Sequence, residues 1–273
     1  MQIEQVLSER LRAVTELVTK GNRVADIGCD HAYTSIYLVE KGIAPCAIAM
    51  DINAGPIERA KENVALYGLT NKIVVRRSDG VKELEAEEAD TLLITGMGGL
   101  LMKKILSDKP EVTNMAKELV LQPQSEVEEL RRFLHSIGFV ITKEQMRKED
   151  GKFYVMFRAE KPCLQETLYE QLKYTVLQSG EYSREEKEIL GLNKRKQSLE
   201  GGYHQTWTDL EYRYGAHLLK EHSAVFVEYL NWELQQKEQI LANLEKIETE
   251  KARVRREQLV KEIEEVQQLL LSI

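Results

Sequence analysis

Five short runs of mostly Val, Ile, Leu and Ala punctuate the first 160 residues, at 23–28, 46–51, 72–76, 91–96 and 118–123, and stretches of helical periodicity separate them. Apolar runs without polar alternation, spaced by helices, read as parallel strands covered on both faces, so the chain is expected to form a doubly wound α/β sheet. Two further runs, 139–145 and 152–158, flank Asp150-Gly151, a turn dipeptide, and read as a terminal antiparallel hairpin that brings the sheet to seven mostly parallel strands. Such a sheet binds ligands at the carboxyl ends of its strands.

The pattern changes at Lys161-Pro162, which divides the chain into residues 1–160 and 161–273. Beyond it Glu, Lys, Gln and Leu dominate and the strand signal ends, so an all-helical, coiled-coil-like domain is expected. One long helix is read from about Ser223 onward, with an apolar seam at Ile240, Leu244, Ile247, Val254, Leu259, Ile263, Val266 and Leu270. Residues 164–177 are its expected antiparallel partner. The five-residue step from Val254 to Leu259 breaks the heptad and favours an intramolecular hairpin, hence a monomer, over a long dimeric coiled coil.

The longest apolar runs, such as 91–94, are far too short to span a membrane, and no signal-peptide core opens the chain, so a cytoplasmic location is expected. The formal charge of −7 divides into −3 and −4 across the boundary, which excludes indiscriminate nucleic-acid binding through net charge but not a local basic patch. Cys29, Cys46 and Cys163 lie too far apart to suggest a disulfide framework or a metal site.

The densest chemical signal is 24–33. Asp26-Ile27-Gly28 ends the first strand with a glycine that admits close approach to the backbone, and with a carboxylate able to hold a cation. A tight turn alone would use the same residues. Asp51, followed by Ile52, ends the second strand 23 residues after Gly28, where an acidic residue accepts from ribose hydroxyls. The next helix is expected to start at Pro56, leaving Asp51 free of capping duty. Asp79-Gly80 after the third strand is placed to accept from an adenine amino group. The first turn lacks GxGxxG, which disfavours NAD, and no phosphate-binding lysine motif is present. Carboxylates at three successive strand ends suit an adenosyl ligand without a phosphate chain, namely S-adenosylmethionine.

With these residues the sequence resembles a class I methyltransferase. More closely, it resembles the bacterial tRNA (adenine(22)-N(1))-methyltransferase family, TrmK, in the strings at 8–11, 25–33, 53–57, 95–99, 121–124 and 149–154. The resemblance implies a Rossmann-like sheet with a C-terminal helical domain, S-adenosylmethionine as cofactor and tRNA as substrate. The first turn departs from the usual glycine-rich pattern by carrying Asp30 and Ala32, which puts Asp30 and His31 beside the expected methyl donor. Gly96, Met97 and Gly98 after the fourth strand permit close ligand approach, and no Asn/Asp-Pro-Pro-aromatic motif stands there. Gln122, Pro123 and Gln124 after the fifth strand offer amides to a base edge.

In the reaction so implied, adenine N1 already carries a lone pair and needs no base. A carboxylate, Asp30, would favour the cationic product, with His31 and Gln124 positioning the base, which must be unpaired or flipped out. Arg10 gains weight as an RNA contact from its motif context. The pairs Arg76-Arg77, Lys103-Lys104 and Arg131-Arg132 and the segments 194–196 and 253–256 read first as solvated faces. Tyr203, Trp207, Tyr212 and Tyr214 read as an aromatic core anchoring the helical domain. A methyltransferase for a protein or small molecule, and a cofactor-binding adaptor, are the competing readings.

Overall fold

The computed structural model describes residues 3–162 and 207–273. Cys163, Tyr203, the expected partner segment 164–177 and the basic run 194–196 lie outside the described residues. Five parallel strands, β1 (Val24–Ile27), β2 (Ala47–Asp51), β3 (Ile73–Arg77), β4 (Thr91–Met97) and β5 (Glu118–Pro123), and a hairpin, β6 (Val140–Glu149) and β7 (Lys152–Glu160), form one sheet in the order β3-β2-β1-β4-β5-β7-β6. β7 is antiparallel to both β5 and β6. The order reverses between β1 and β4, so their carboxyl ends mark the switch point where this class of sheet opens a crevice.

Successive strand residues supply opposite faces. Ala25, Ile27, Leu92, Ile94, Leu119 and Leu121 pack beneath α4 (Gly99–Asp108), α5 (Pro110–Met115) and α6 (Val127–Ser136). Val24, Leu93 and Val120 pack beneath α1 (Glu9–Thr15), α2 (Tyr33–Glu40) and α3 (Ala54–Leu66). That two-sided burial is why these strands read as unbroken apolar runs.

Among the described residues, the C-terminal part contains α7 (Asp209–Tyr214), α8 (Ala216–Glu221), α9 (Ala224–Leu244) and α10 (Glu250–Ser272). The single helix expected from Ser223 is therefore two helices folded back on each other, so α9 and α10 are each other's partners. The break falls where the Thr249 hydroxyl accepts the Ala252 N–H, an N-cap that restarts the helix. Leu259, Ile263 and Val266 of the seam are buried near the root, whereas Ile240, Ile247 and Val254 toward the tip are 44–46% exposed. Across the hairpin, Lys237 pairs with Glu262, which also takes Arg255 at 2.7 Å.

A buried ion pair joins the two parts. Arg131 of α6 and Glu144 of β6, 1% and 0% exposed, meet at 2.9 Å. The guanidinium also donates to the carbonyls of Tyr212, Arg213 and Tyr214 at the end of α7, while Glu144 accepts the His217 N–H. Gly215 between those helices has φ +95°, and a Cβ there would lie 2.4 Å from Glu144 Oε2 and 2.7 Å from Arg131 Nη2. As the sequence suggested, aromatic residues thicken the joint: Trp207 and Tyr212 both lie edge-on to His135, and Arg132 stacks on Tyr212.

Arg131→Met strands a carboxylate in the core and should lower stability by about 3–5 kcal/mol. Glu144→Gln keeps an acceptor for His217 and should cost less. Urea unfolding midpoints of the two variants check the order.

Candidate active site at the carboxyl edge

Three loops meet over the ends of β1, β4 and β5. The β1–α2 loop is built on positive φ values at Gly28 (+77°), Asp30 (+49°) and Ala32 (+61°). It is tied down by Gly28 and Cys29 N–H groups donating to the Met50 carbonyl, and by Asn63 Nδ2 donating to the His31 carbonyl at 3.0 Å. Gly28 holds φ +77°, which favours glycine, and a Cβ there would lie 2.1 Å from the Met97 methyl, so the end of β4 lies directly against the end of β1. Gly99 is held as tightly: its N–H donates to the Ser125 carbonyl, and a Cβ there would meet Glu126 O at 2.5 Å.

The structure brings most of the sequence candidates to this edge. Asp30 is an exposed carboxylate whose Oδ1 lies 3.5 Å from His31 Nε2. Gln124 is exposed, donates its backbone N–H to the Met97 carbonyl, and carries Nε2 3.7 Å from the Cβ position at Gly96. Asp51 ends β2 and Ile52, half exposed, follows it. The next helix starts at Ala54, two residues before the expected Pro56, and Asp51 Oδ1 accepts the Asn53 N–H at its entrance, leaving the other oxygen without a protein partner among the described residues. Asp79, exposed, pairs with Lys82, which holds its carboxyl below the usual range. Gly80, with φ +61°, turns the chain under Ile105.

Other candidates are placed differently from expectation. Asp26 is 1% exposed and accepts from Ser35 Oγ at 2.7 Å, so its carboxyl anchors α2 to β1 rather than facing a cation in the crevice. Burial pushes that carboxyl up to about 6 against the pull of Ser35. Gln122 is fully buried, its oxygen accepting from Arg10 and the Gly96 N–H and its NH2 donating to the Pro123 carbonyl, so the amide is not presented to a base edge. Arg10 faces inward, donating to Gln122 and pairing with Glu149. Among the basic clusters, Arg131 is buried, and Arg76, Arg132, Arg253 and Arg255 are paired with carboxylates. Sequence reasoning assigned no role to Ser35, Asn63, Glu149 or Tyr154. For the last two the signal was present, since Glu149 opens and Tyr154 closes the string 149–154.

The residues fit an adenosyl cofactor: glycine cradles at 28 and 96, a half-buried carboxylate at the end of β2 with one oxygen uncommitted, and an acidic turn after β3. Among the described residues no group of three His, Cys, Asp or Glu side chains is placed to hold a metal, and no helix is long and apolar enough to cross a membrane.

A carboxyl raised from 3.8 to about 6 on folding lets the native state bind more protons between those values, so its contribution to stability falls by roughly 3 kcal/mol as pH rises through that window. Asp26→Asn retains an acceptor for Ser35 without ionising. Its stability relative to the parent should rise from pH 4 to 7, as thermal melts at both ends of the range would show; a constant difference would mean that the carboxyl is not raised.

Residues 7–157, more than half of the chain, match a family model described as a methyltransferase domain. Over 157 residues the chain is 38% identical to the tRNA (adenine(22)-N(1))-methyltransferase of Bacillus subtilis, covering 58% of this chain and 66% of that protein, just under two thirds of its length. The crystal structure of the B. subtilis m1A22 tRNA methyltransferase TrmK superposes with a TM-score of 0.74 at 28% identity, over 97% of this chain and 98% of that one. A Streptococcus pneumoniae structure in complex with S-adenosyl-L-methionine does so with a TM-score of 0.72 at 29% identity, over 97% and 99%. The seven-stranded sheet thus superposes on solved methyltransferase structures over nearly its whole length, and by the family model the chain belongs to the methyltransferase-domain family.

Proposed function

We propose that the chain transfers a methyl group from S-adenosylmethionine to N1 of adenosine 22 in tRNA. The observation that carries this reading is that strings shared with the family, at 25–33, 95–99 and 121–124, lie on the three loops that meet at one edge, in a chain 38% identical to an enzyme of that name. When bound, S-adenosylmethionine supplies an electrophilic methyl group. Gly28, Gly96, Met97 and Gly98 form the backbone cradle, with Asp26 and Ile27 holding its base. Asp51 receives the ribose, Ile52 covers the adenine face, and Asp79 with Gly80 meets the adenine edge.

On the acceptor side, the neutral N1 lone pair needs no general base, so the protein's task is alignment and charge stabilisation. Asp30 stands exposed next to His31, suited to the positive charge that develops on the methylated base. Gln124, across Gly96, is the amide able to meet the base edge. The target must leave its stack to enter. Residues 1–160 carry this chemistry, and the C-terminal part, 161–273, holds RNA outside the target nucleotide. The protein acts in the cytoplasm as a monomer, without a metal.

Incubation with labelled cofactor and unmodified tRNA, then nucleoside mass spectrometry, should yield 1-methyladenosine, lost when adenosine 22 is replaced. Asp30→Ala should lower kcat by about a hundredfold with cofactor affinity retained. Cofactor binding without label in RNA would instead support another acceptor or an adaptor role.

A further inference from the structure

Near the crevice, one cationic side chain is held by three separate segments of the chain and touches neither side of the reaction as described. Arg10 of α1 donates through Nη1 to Gln122 Oε1. The same oxygen accepts the Gly96 N–H at 3.2 Å, and Gln122 Nε2 donates to the Pro123 carbonyl at 3.0 Å. Arg10 Nε lies 3.5 Å from Glu149 Oε2, its backbone N–H donates to Glu149 Oε1 at 3.1 Å, and its guanidinium sits 4.8 Å from the Tyr154 ring centroid. Four strings separated in sequence, 8–11, 95–99, 121–124 and 149–154, thus converge on one cation whose side chain is 18% exposed.

We propose that Arg10 is a positioning residue: by orienting the Gln122 amide it fixes the loops that carry Gly96 and Gln124, and it does not grip RNA phosphate. This rests on the methyltransferase reading above.

The amide has only one arrangement that satisfies every partner. Its oxygen faces two donors and its NH2 faces a carbonyl. Without the guanidinium, one of the two donors that hold the oxygen inward is lost. A flipped amide would set NH2 against the Gly96 N–H, donor on donor, in a fully buried place. Gly96 has φ +73°, and Gln124 is tied to the same loop through its N–H to the Met97 carbonyl, so a shift at Gly96 carries Gln124 with it. Displacements of about 1 Å at a reacting centre cost on the order of a hundredfold in rate. Lysine cannot replace this arginine, because a single ammonium does not reach the amide and the carboxylate in a plane while stacking on a ring. The nearest partners of the cation are an amide, a carboxylate and an aromatic face of the protein itself.

The test uses the full chain with Arg10→Gln, Arg10→Lys, Gln122→Met and the Arg10→Gln/Gln122→Met pair. Arg10→Gln should lower kcat roughly tenfold to a hundredfold with KM for tRNA within about threefold. Arg10→Lys should recover little of that loss, and the pair should be no worse than the poorer single variant. The slope of log affinity for tRNA against log salt should not change. A weaker affinity with the slope reduced by about one would make Arg10 a phosphate contact and overturn the proposal, as would unchanged kcat or additive losses. Hydrogen exchange provides a readout independent of activity: Arg10→Gln should speed exchange in peptides spanning 94–99 and 121–126, and unchanged exchange would overturn the strut. A parent protein that fails to methylate tRNA while the exchange change is seen would sink the functional reading and leave the strut standing.

Discussion

The guanidinium of Arg131 does three jobs with one charge: it neutralises Glu144, it takes the carbonyls that the end of α7 leaves without intrahelical donors, and it fills the space that Gly215 keeps open. Two ions removed from water at 1% and 0% exposure are costly to bury, and such a pair persists where hydrogen bonds satisfy the rest of each group. Here they do, through backbone atoms at 212–214 and 217. The α9–α10 hairpin begins only nine residues after Gly215, so its direction is set within the sheet-bearing half of the molecule.

The loops at the carboxyl edge follow an opposite logic. Non-glycine residues at positive φ, Asp30 and Ala32, carry strain that the surrounding bonds from Asn63 and to Met50 must hold. The result is a carboxylate and an imidazole presented at a sharp turn beside Gly28, above a buried strand paired on both sides. Rigid β1 and β4 beneath, and crossed loops above, make the edge a framework in which small shifts are transmitted rather than absorbed.

The strands were legible because burial on both faces leaves no polar alternation, and the hairpin because Asp150-Gly151 stands between two β-rich runs. The places of Asp51 at the end of β2 and of Gly28 just after β1 were legible from the apolar runs. Asp26 was not, since sequence shows a carboxylate at a strand end but not the Ser35 hydroxyl nine residues on that turns it inward. The long C-terminal helix was misread for a local reason: Thr249 is a modest helix former in a run of Glu and Lys, and its capping role appears only once the Ala252 N–H is seen on its hydroxyl. Arg131 and Arg132 look alike in sequence, yet one is buried and the other is 41% exposed, a difference decided by which face of α6 meets β6.

A sheet that ends in a ten-residue strand exposes a ladder of unpaired backbone groups, an invitation to pair with another copy. In this chain α8 and α9 pack on β6, and His217 Nε2 donates to the Ile141 carbonyl at 2.9 Å. The opposite edge, β3, relies on charge instead, with Arg76 and Arg77 at its end. The root of the helical part therefore also serves as an edge guard, and a chain cut after β7 would lose it, laying bare β6 together with Met146 and Phe153 from the cluster that α9 now covers. Self-association through that edge is the hazard such a cut would create.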